Sequence, residues 1–524
     1  MKNIVLLSDG TGNSAAKLFK TNVWRTYQAL DLTDEKAQVA FYDDGVGTSS
    51  FRPMALLGGA VGYGLKRNVL DIYGFLCRNY RDGDRIYCFG FSRGAYTVRI
   101  LTGLVNNQGL VVADTEEALA AEAERAFREY RNRYQSLVTH VARRMPKSRR
   151  EKLARLRPKI AFVGVWDTVA AYGLPIDEVT KLLSYVLPLS IPDRNPCPIM
   201  ERGCHALALD DERRTFHPVL WNEAGLVADA RNSAEEVVTQ VWFAGAHSDV
   251  GGGYAEDALS YTSLDWIMGE AEKKGLRFDP ETRRRMNATM NVNGMLHDPR
   301  KGTGAAYRYL PRDVHELAND TRNKVLVARP KIHESVFRRI EHSDDSYAPI
   351  VLPARYAVMD GSGAIHDLPP QRSGLPPSRS GLPPAVRETQ AEAATRVAKQ
   401  KAGVSGLVRS RKILHSVSML VLISLAVFPW VFTMRSLCDS GVVCWPEKAI
   451  ATLLGAVLPD FLARWLDAYA VHWEIFLVHG LALWLILRRS KTLQERIKDR
   501  MRKIWMQGAP QPSAPSREAV AADA

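Results

Sequence analysis

Arg85-Ile86-Tyr87-Cys88-Phe89-Gly90-Phe91-Ser92-Arg93-Gly94 reads as a buried strand that turns sharply into a helix, with a serine at the turn. Such a nucleophile elbow needs small residues on both sides of the serine, because its strained backbone brings strand and helix too close for larger side chains. The turn lifts the Ser92 hydroxyl to the carboxyl edge of a sheet. A Gly-x-Ser-x-Gly string alone is weak support, so the surrounding residues must decide.

Up to about residue 255, short β-branched or aromatic runs alternate with helical stretches, as a parallel sheet with crossover helices requires. Strands are expected at Asn3 to Leu7, Gln38 to Tyr42, Arg85 to Phe89, Ile160 to Trp166 and Val237 to Ala244. Each ends in a polar or glycine-rich turn, and catalytic groups collect at such carboxyl ends. Leu119 to Tyr134 reads as a long helix after the elbow helix, and residues 175–235 as a loop-rich insertion covering the site. From about Leu264 to Ala357 the pattern is mixed and polar, consistent with surface helices and a few closing strands.

A serine hydroxyl is a poor nucleophile at neutral pH, so Ser92 needs a base, and the base needs a carboxylate to hold its tautomer. Asp167 closes the strand Phe162-Val163-Gly164-Val165-Trp166, and His247 closes Trp242-Phe243-Ala244-Gly245. Ser92, Asp167 and His247 thus follow the nucleophile, acid, base order of α/β-hydrolases, each just past a strand end. The expected fold is α/β, hydrolase-like, with a mainly parallel sheet flanked by helices. Asp167 also suits an N-cap for the following segment. Asp9, Asp210, Asp211 and Asp249 are alternative acids or substrate contacts, with Asp249 handicapped by its short tether to His247.

The developing oxyanion needs donors, for which the backbone N–H of Arg93 and that of Gly10 or Thr11 are the candidates. Asp9-Gly10-Thr11 does not open a haloacid-dehalogenase phosphatase, since Leu7 stands where that motif places its nucleophilic aspartate. No glycine-rich stretch is followed by Gly-Lys-Ser/Thr, which excludes a P-loop. The mechanism requires no metal and no organic cofactor.

The 524 residues suffice for one large domain with appendages, and the net charge of +13 suits nucleic acid or an anionic membrane. Its distribution favours the membrane: no nucleic-acid module is recognisable, and basic residues gather at Arg143 to Lys159 and beside apolar C-terminal segments. Cys77, Cys88, Cys197 and Cys204 have no metal-ligand spacing and read as reduced or core cysteines. Cys438 and Cys444 are spaced for a short disulfide on an oxidising side.

Four divisions are expected: a catalytic domain over 1–365 with core motifs in 1–260, a Pro-rich linker and short helix over 366–408, a membrane hairpin over 409–490, and a basic then disordered tail over 491–524. Leu368-Pro369-Pro370, Leu375-Pro376-Pro377 and Leu382-Pro383-Pro384 mark the semi-rigid linker, with a short helix at Glu388 to Lys401 after it. Residues 413–434 lack acidic, Lys or Arg side chains and are long enough to span a bilayer. A weaker second span, 468–487, contains His472, Glu474 and His479. Basic residues flank the outer ends of this pair, which places the catalytic domain and tail in the cytoplasm, at a bacterial inner membrane.

Asp9-Gly10-Thr11-Gly12-Asn13, Tyr42-Asp43-Asp44-Gly45-Val46-Gly47-Thr48, the elbow, Gly164-Val165-Trp166-Asp167-Thr168-Val169, and Phe243-Ala244-Gly245-Ala246-His247-Ser248-Asp249-Val250-Gly251-Gly252-Gly253-Tyr254 resemble the α/β-hydrolase domain of type VI secretion phospholipase effectors. The resemblance covers roughly residues 1–330 and extends to Asp210-Asp211-Glu212-Arg213-Arg214 and Phe216-His217-Pro218. It implies a Ser-Asp-His triad, carried onto Ser92, Asp167 and His247, and hydrolysis of phospholipid or other lipid esters. The proline linker and the membrane pair stand outside the family's catalytic pattern. The expected partners are a lipid ester substrate and the bilayer. A catalytically silent membrane scaffold and a delivered phospholipase toxin are the alternative readings.

Overall fold

The computed structural model describes residues 1–10, 19–45, 59–133, 155–170, 194–226, 230–342, 345–368, 388–431, 452 and 463–508. In chain order the strands are β1 (Asn3–Ser8), β2 (Gln38–Asp43), β3 (Arg85–Phe91), β4 (Leu110–Val111), β5 (Arg155–Leu156), β6 (Ile160–Trp166), β7 (Gly203–Ala208), β8 (Val238–Phe243), β9 (Lys331–His333), β10 (Ala357–Met359) and β11 (Ile365–Asp367). Nine of them form one sheet in the order β11-β10-β9-β8-β7-β6-β3-β1-β2. Every neighbouring pair in it is parallel except β10 with β11. The chain is therefore an α/β protein with the serine-bearing strand inside the sheet.

Burial on both faces explains the near-continuous apolar runs. Alternate residues of β1 point to opposite sides: Ile4 and Leu6 join Leu65, Val69, Ile72, Leu101 and Leu104, while Val5 and Leu7 join Val23, Leu264, Ile267 and Met268. Helices Gly59–Asn79, Arg93–Gln108 and Glu116–Arg133 thus cover one face, and Asn22–Ala29 and Tyr261–Lys273 the other.

The helix expected at Leu119 to Tyr134 spans Glu116–Arg133. The region read as a loop-rich insertion contains a fully buried central strand, β7. Its polar approach, Glu201-Arg202, hides it from a hydrophobicity reading. Arg202 is nonetheless buried, because its guanidinium bonds the Glu270 carboxylate, the Glu236 carbonyl and the Thr239 hydroxyl. Cys88 and Cys204 are buried, Cys77 and Cys197 are partly buried, and none of these four forms a disulfide. Cys438 and Cys444 lie outside the described residues, as do residues 143–154 of the basic cluster. Within its remainder, Arg155 is held by Gln108 and Arg157 by the Asn106 carbonyl.

The chain forms two units, Met1–Ala398 with Ile504–Ala524, and Lys399–Lys503. The helix expected to stop near Lys401 runs unbroken from Gln390 to Val431, and it is long and apolar enough to cross a membrane. Leu420, Ile423, Val427 and Trp430 are exposed on it. The weaker segment is broken at His472: helices Ala463–Val471 and Trp473–Gly508 meet the same test only together, and the pair is bent by 99°. Within this unit Arg500 Nη1 donates to the Gly403 carbonyl, Arg411 Nη2 to Gln494 Oε1, and Ser424 lies 3.0 Å from His479 Nε2. The rising and falling numbers mark an antiparallel helix pair.

The elbow's closeness is measurable. A Cβ at Gly94 would stand 2.0 Å from the Ser8 carbonyl oxygen, and one at Gly90 would stand 2.7 Å from Ala95 Cα. Both obstacles are backbone, which cannot swing aside. Gly94→Ala is expected to cost about 1–3 kcal/mol through overpacking, read as a lower urea midpoint at unchanged m-value; an unchanged midpoint would show that β1 and the elbow helix can separate freely.

Candidate functional site

Ser92 follows β3, Asp167 follows the adjacent β6, and His247 opens the short helix His247–Gly251 after β8. The sheet brings the three to one edge. The Ser92 hydroxyl donates to His247 Nε2 at 2.8 Å, and His247 Nδ1–H donates to Asp167 Oδ2 at 2.6 Å. An ionised carboxylate only accepts, so the proton sits on Nδ1 and Nε2 is free to accept from the serine. All three side chains are buried.

Two of them sit on strained backbone. Ser92 has φ 59° and ψ −121°, and Asp167 has φ 38°, a region that favours glycine. Each costs on the order of 1–3 kcal/mol and persists only where its surroundings over-determine it. Here the sheet does so: the Ser92 N–H donates to the Trp166 carbonyl at 3.0 Å, and the Asp167 N–H to the Ala206 carbonyl at 2.7 Å. Helix His247–Gly251 packs so tightly on Phe91 that a Cβ at Gly251 would lie 2.0 Å from that ring. The imidazole is held between Phe91, centroids 4.6 Å apart, and the edge of Phe216, at 5.1 Å.

Sequence reading missed Arg312. Fully buried, it donates from Nη1 to Asp167 Oδ1 and from Nη2 to Oδ2, both at 2.7 Å, and it also bonds the Ala208 and Phe216 carbonyls. The Ala208 N–H adds a bond to Oδ1 at 3.0 Å. Burial penalises the Asp167 anion, but the Arg312 charge and the bonds from His247 and Arg312 outweigh that penalty and hold the carboxyl well below its usual range. Burial lowers the His247 pKa below its ordinary 6.5, against the opposing pull of Asp167. Nothing in Leu310-Pro311-Arg312-Asp313 distinguishes this arginine in sequence. The Leu310 N–H donating to Glu212, and His217 Nε2 at 3.0 Å from the Leu310 carbonyl, bring it in.

The alternative acids face elsewhere. Asp249 accepts from His297 Nδ1 at 2.6 Å and from the Ala246 N–H, not from His247. Asp211 accepts from the backbone N–H of His247 at 3.2 Å and is clasped by Arg213. Asp210 accepts from the Gly245 N–H and the Tyr347 hydroxyl, and burial pushes its pKa up to about 7. Asp9 gathers the Thr21 and Tyr42 hydroxyls. Asp9 also corrects the expectation for Gly10: its carboxylate folds back onto the Gly10 N–H at 2.6 Å, so that donor is engaged. Thr11 lies outside the described residues. As the first residue of helix Arg93–Gln108, Arg93 has no intrahelical acceptor for its N–H.

Arg312→Gln strands a buried carboxylate and is expected to cost about 3–5 kcal/mol at neutral pH, measured by urea unfolding. The sign follows from the depressed pKa: the stability Asp167 contributes is present above its unfolded value near 4 and is lost as pH falls through the lower folded value. With the guanidinium gone, the Asp167 field on the imidazole is uncompensated. The His247 pKa, followed by NMR of its ring carbons, should therefore rise, and an unchanged titration would remove Arg312 from this electrostatic unit.

Comparison with known proteins bears on the same residues. The family model described as "T6SS, Phospholipase effector Tle1-like, catalytic domain" matches residues 2–270, which include Ser92, Asp167 and His247 but not Arg312. A yeast relative, the "Uncharacterized protein YEL023C" of Saccharomyces cerevisiae, is 23% identical over 53% of this chain and 58% of its own length. The chain thus spans less than two thirds of that relative. A solved structure, "Crystal structure of an uncharacterized protein from Pseudomonas aeruginosa", is 16% identical, covering 90% of this chain and 62% of that one, at a TM-score of 0.30 that carries no argument. By its match over residues 2–270, the chain belongs to the family of the type VI secretion Tle1-like phospholipase effector catalytic domain.

Proposed function

We propose that the protein is a membrane-anchored serine esterase with an α/β-hydrolase fold, cleaving carboxylic esters of phospholipids or related lipids. The observation that carries this reading is the relay from the Ser92 hydroxyl through His247 to Asp167, at 2.8 and 2.6 Å. Membership in a phospholipase effector family supports the lipid substrate.

Ser92 Oγ attacks the ester carbonyl carbon while its proton passes to His247 Nε2. The carbonyl oxygen becomes an oxyanion, which the Arg93 N–H stabilises with a second donor; each such contact is worth about 3 kcal/mol of barrier. Collapse breaks the ester C–O bond, and the leaving alcohol takes the proton from His247. Water then attacks the acyl-serine by the same route, releasing the fatty acid and restoring the hydroxyl. Asp167 stays ionised throughout, holding the Nδ1 tautomer and stabilising the imidazolium. The Arg312 bonds keep it from rotating away.

Anchoring rests on helix Gln390–Val431, whose apolar half is exposed in the described structure. The basic residues Arg409, Arg411, Lys412, Arg488, Arg489 and Lys491 at the outer ends of the helix pair support a cytoplasmic position for the catalytic domain, at a bacterial inner membrane. The four divisions expected from sequence are retained within this proposal, with the anchor helix beginning at Gln390.

Ser92→Ala should abolish labelling by a fluorophosphonate probe and lower lipid-ester hydrolysis by at least about 10³-fold; a folded wild-type protein that takes no label points instead to a silent scaffold. The acid limb of kcat/KM reports His247 losing its role as base, so the rate should fall only below about pH 6.5. A midpoint above 7 contradicts the assignment. Full-length protein should stay in the membrane pellet after alkaline carbonate extraction, and release into the supernatant contradicts a spanning anchor.

A further inference from the structure

Beside the triad stands a second histidine–carboxylate pair, His297 with Asp249, and it bears on the helix that carries the base. Asp249 is buried on helix His247–Gly251, two residues after His247. His297 Nδ1–H donates to its Oδ1 at 2.6 Å, and the His297 backbone N–H donates to its Oδ2 at 3.1 Å. Oδ2 also accepts from the Ala246 N–H at 2.9 Å, in the turn just before His247. One carboxylate thus ties the entry of the catalytic helix to a loop 48 residues further on.

Both ends of this tie are fixed. Gly245 has φ 114°, and a Cβ there would stand 2.4 Å from Asp249 Cβ, so the turn closes around the acid. On the loop side the Asn291 N–H donates to the Ala258 carbonyl, and buried Arg339 donates from Nη1 to the Val292 and Gly294 carbonyls at 2.9 and 2.7 Å. The Tyr254 ring stacks on the His297 imidazole, centroids 3.9 Å apart and planes 17° from parallel. Glu256 Oε2 lies 3.7 Å from Nε2. The bond to Asp249 raises the His297 pKa above its ordinary 6.5.

A general base must stay within hydrogen-bond reach of its serine, and misplacing it by about 1 Å can cost about 10²-fold in rate. The main chain that carries the imidazole hangs on two carboxylates: the His247 N–H on Asp211 and the Ala246 N–H on Asp249. Arg213 clasps the first, and His297 clasps the second. A supporting group of this kind acts by locking the geometry of a reacting one without touching substrate.

We infer that His297 is a positioning residue for the base: by clasping Asp249 it fixes the peptide between Ala246 and His247, and so holds His247 Nε2 on the Ser92 hydroxyl. This inference rests on the hydrolase reading for the role of His247. It goes beyond it by adding a residue past the limit of the family match at 270.

Two amide substitutions separate the roles of the imidazole nitrogens. Asn places its NH2 where Nδ1 stands, facing Asp249, and Gln places it where Nε2 stands. His297→Gln should lower kcat on p-nitrophenyl butyrate by about 10- to 100-fold with KM little changed, and His297→Asn should regain most of that loss. Urea midpoints of both variants establish that folded protein is compared. Equal kcat values in the two variants overturn the inference, as does a loss confined to KM or a kcat in His297→Gln equal to that of the wild type. Ring-nitrogen NMR of His247 gives a readout without turnover: the Nε2 signal should move in His297→Gln and return in His297→Asn, and an Nε2 signal unmoved in His297→Gln overturns the positioning role. If wild-type protein hydrolyses no ester, the esterase reading fails while the His247 signal still decides the role of His297.

Discussion

The first turn of the elbow helix lies so close to the end of β1 that no side chain fits between them, and the placement of the edge residues follows from that contact. With a side chain at Gly94, the helix would have to move away from the Ser8 carbonyl. Ser92 sits at the pivot of that contact, so its φ of 59° is imposed from both sides. The same economy of volume recurs at Gly251, where the helix carrying His247 meets Phe91. Serine and histidine are thus positioned by the close packing at Gly90, Gly94 and Gly251. Backbone packing sets the position of Ser92, and its hydroxyl then meets His247 Nε2 at 2.8 Å.

Asp167 is fixed in a different manner. Its carboxylate receives the imidazole, two guanidinium nitrogens and one backbone amide, four bonds from three separated parts of the chain. A buried anion is tolerated only when such partners replace water, and here they replace it on both oxygens. The arrangement also sets limits on the histidine. A carboxylate already shared with an arginine pulls less strongly on a proton than one that faces the imidazole alone, which fits an imidazole that stays neutral in a buried pocket. The neighbouring acids obey the same rule with other partners: Asp211 is matched to Arg213, and Asp249 to His297.

Much of this was legible in the chain. The five expected strands lie where β-branched and aromatic runs meet glycine or aspartate, since parallel strands buried on both faces leave that mark. The proximity of residues 92, 167 and 247 was foreshadowed by their position after strand ends, because a parallel sheet gathers those ends on one side. β7 was not legible, since its approach carries Arg202 and only tertiary partners from residues 236–270 make that charge bearable. Arg312 was equally silent, in a segment without periodicity. Gly10 misled because a glycine-rich turn advertises free amides, whereas the adjacent Asp9 side chain captures this one. The helix Gln390–Val431 was divided on paper by its change from polar to apolar composition, a change that leaves the backbone hydrogen-bond ladder intact.

Arg312 lies beyond residue 270, where the match to the family's catalytic domain ends. A fragment cut at that limit would keep every motif by which the family is recognised and still lack the counter-ion of its own acid. It would then have to protonate Asp167, hydrate it, or unfold around it. The stretch that sequence similarity delineates is therefore smaller than the stretch that electrostatics closes. The length of a self-sufficient module in this chain is set by a charge balance completed some forty residues after the similarity stops.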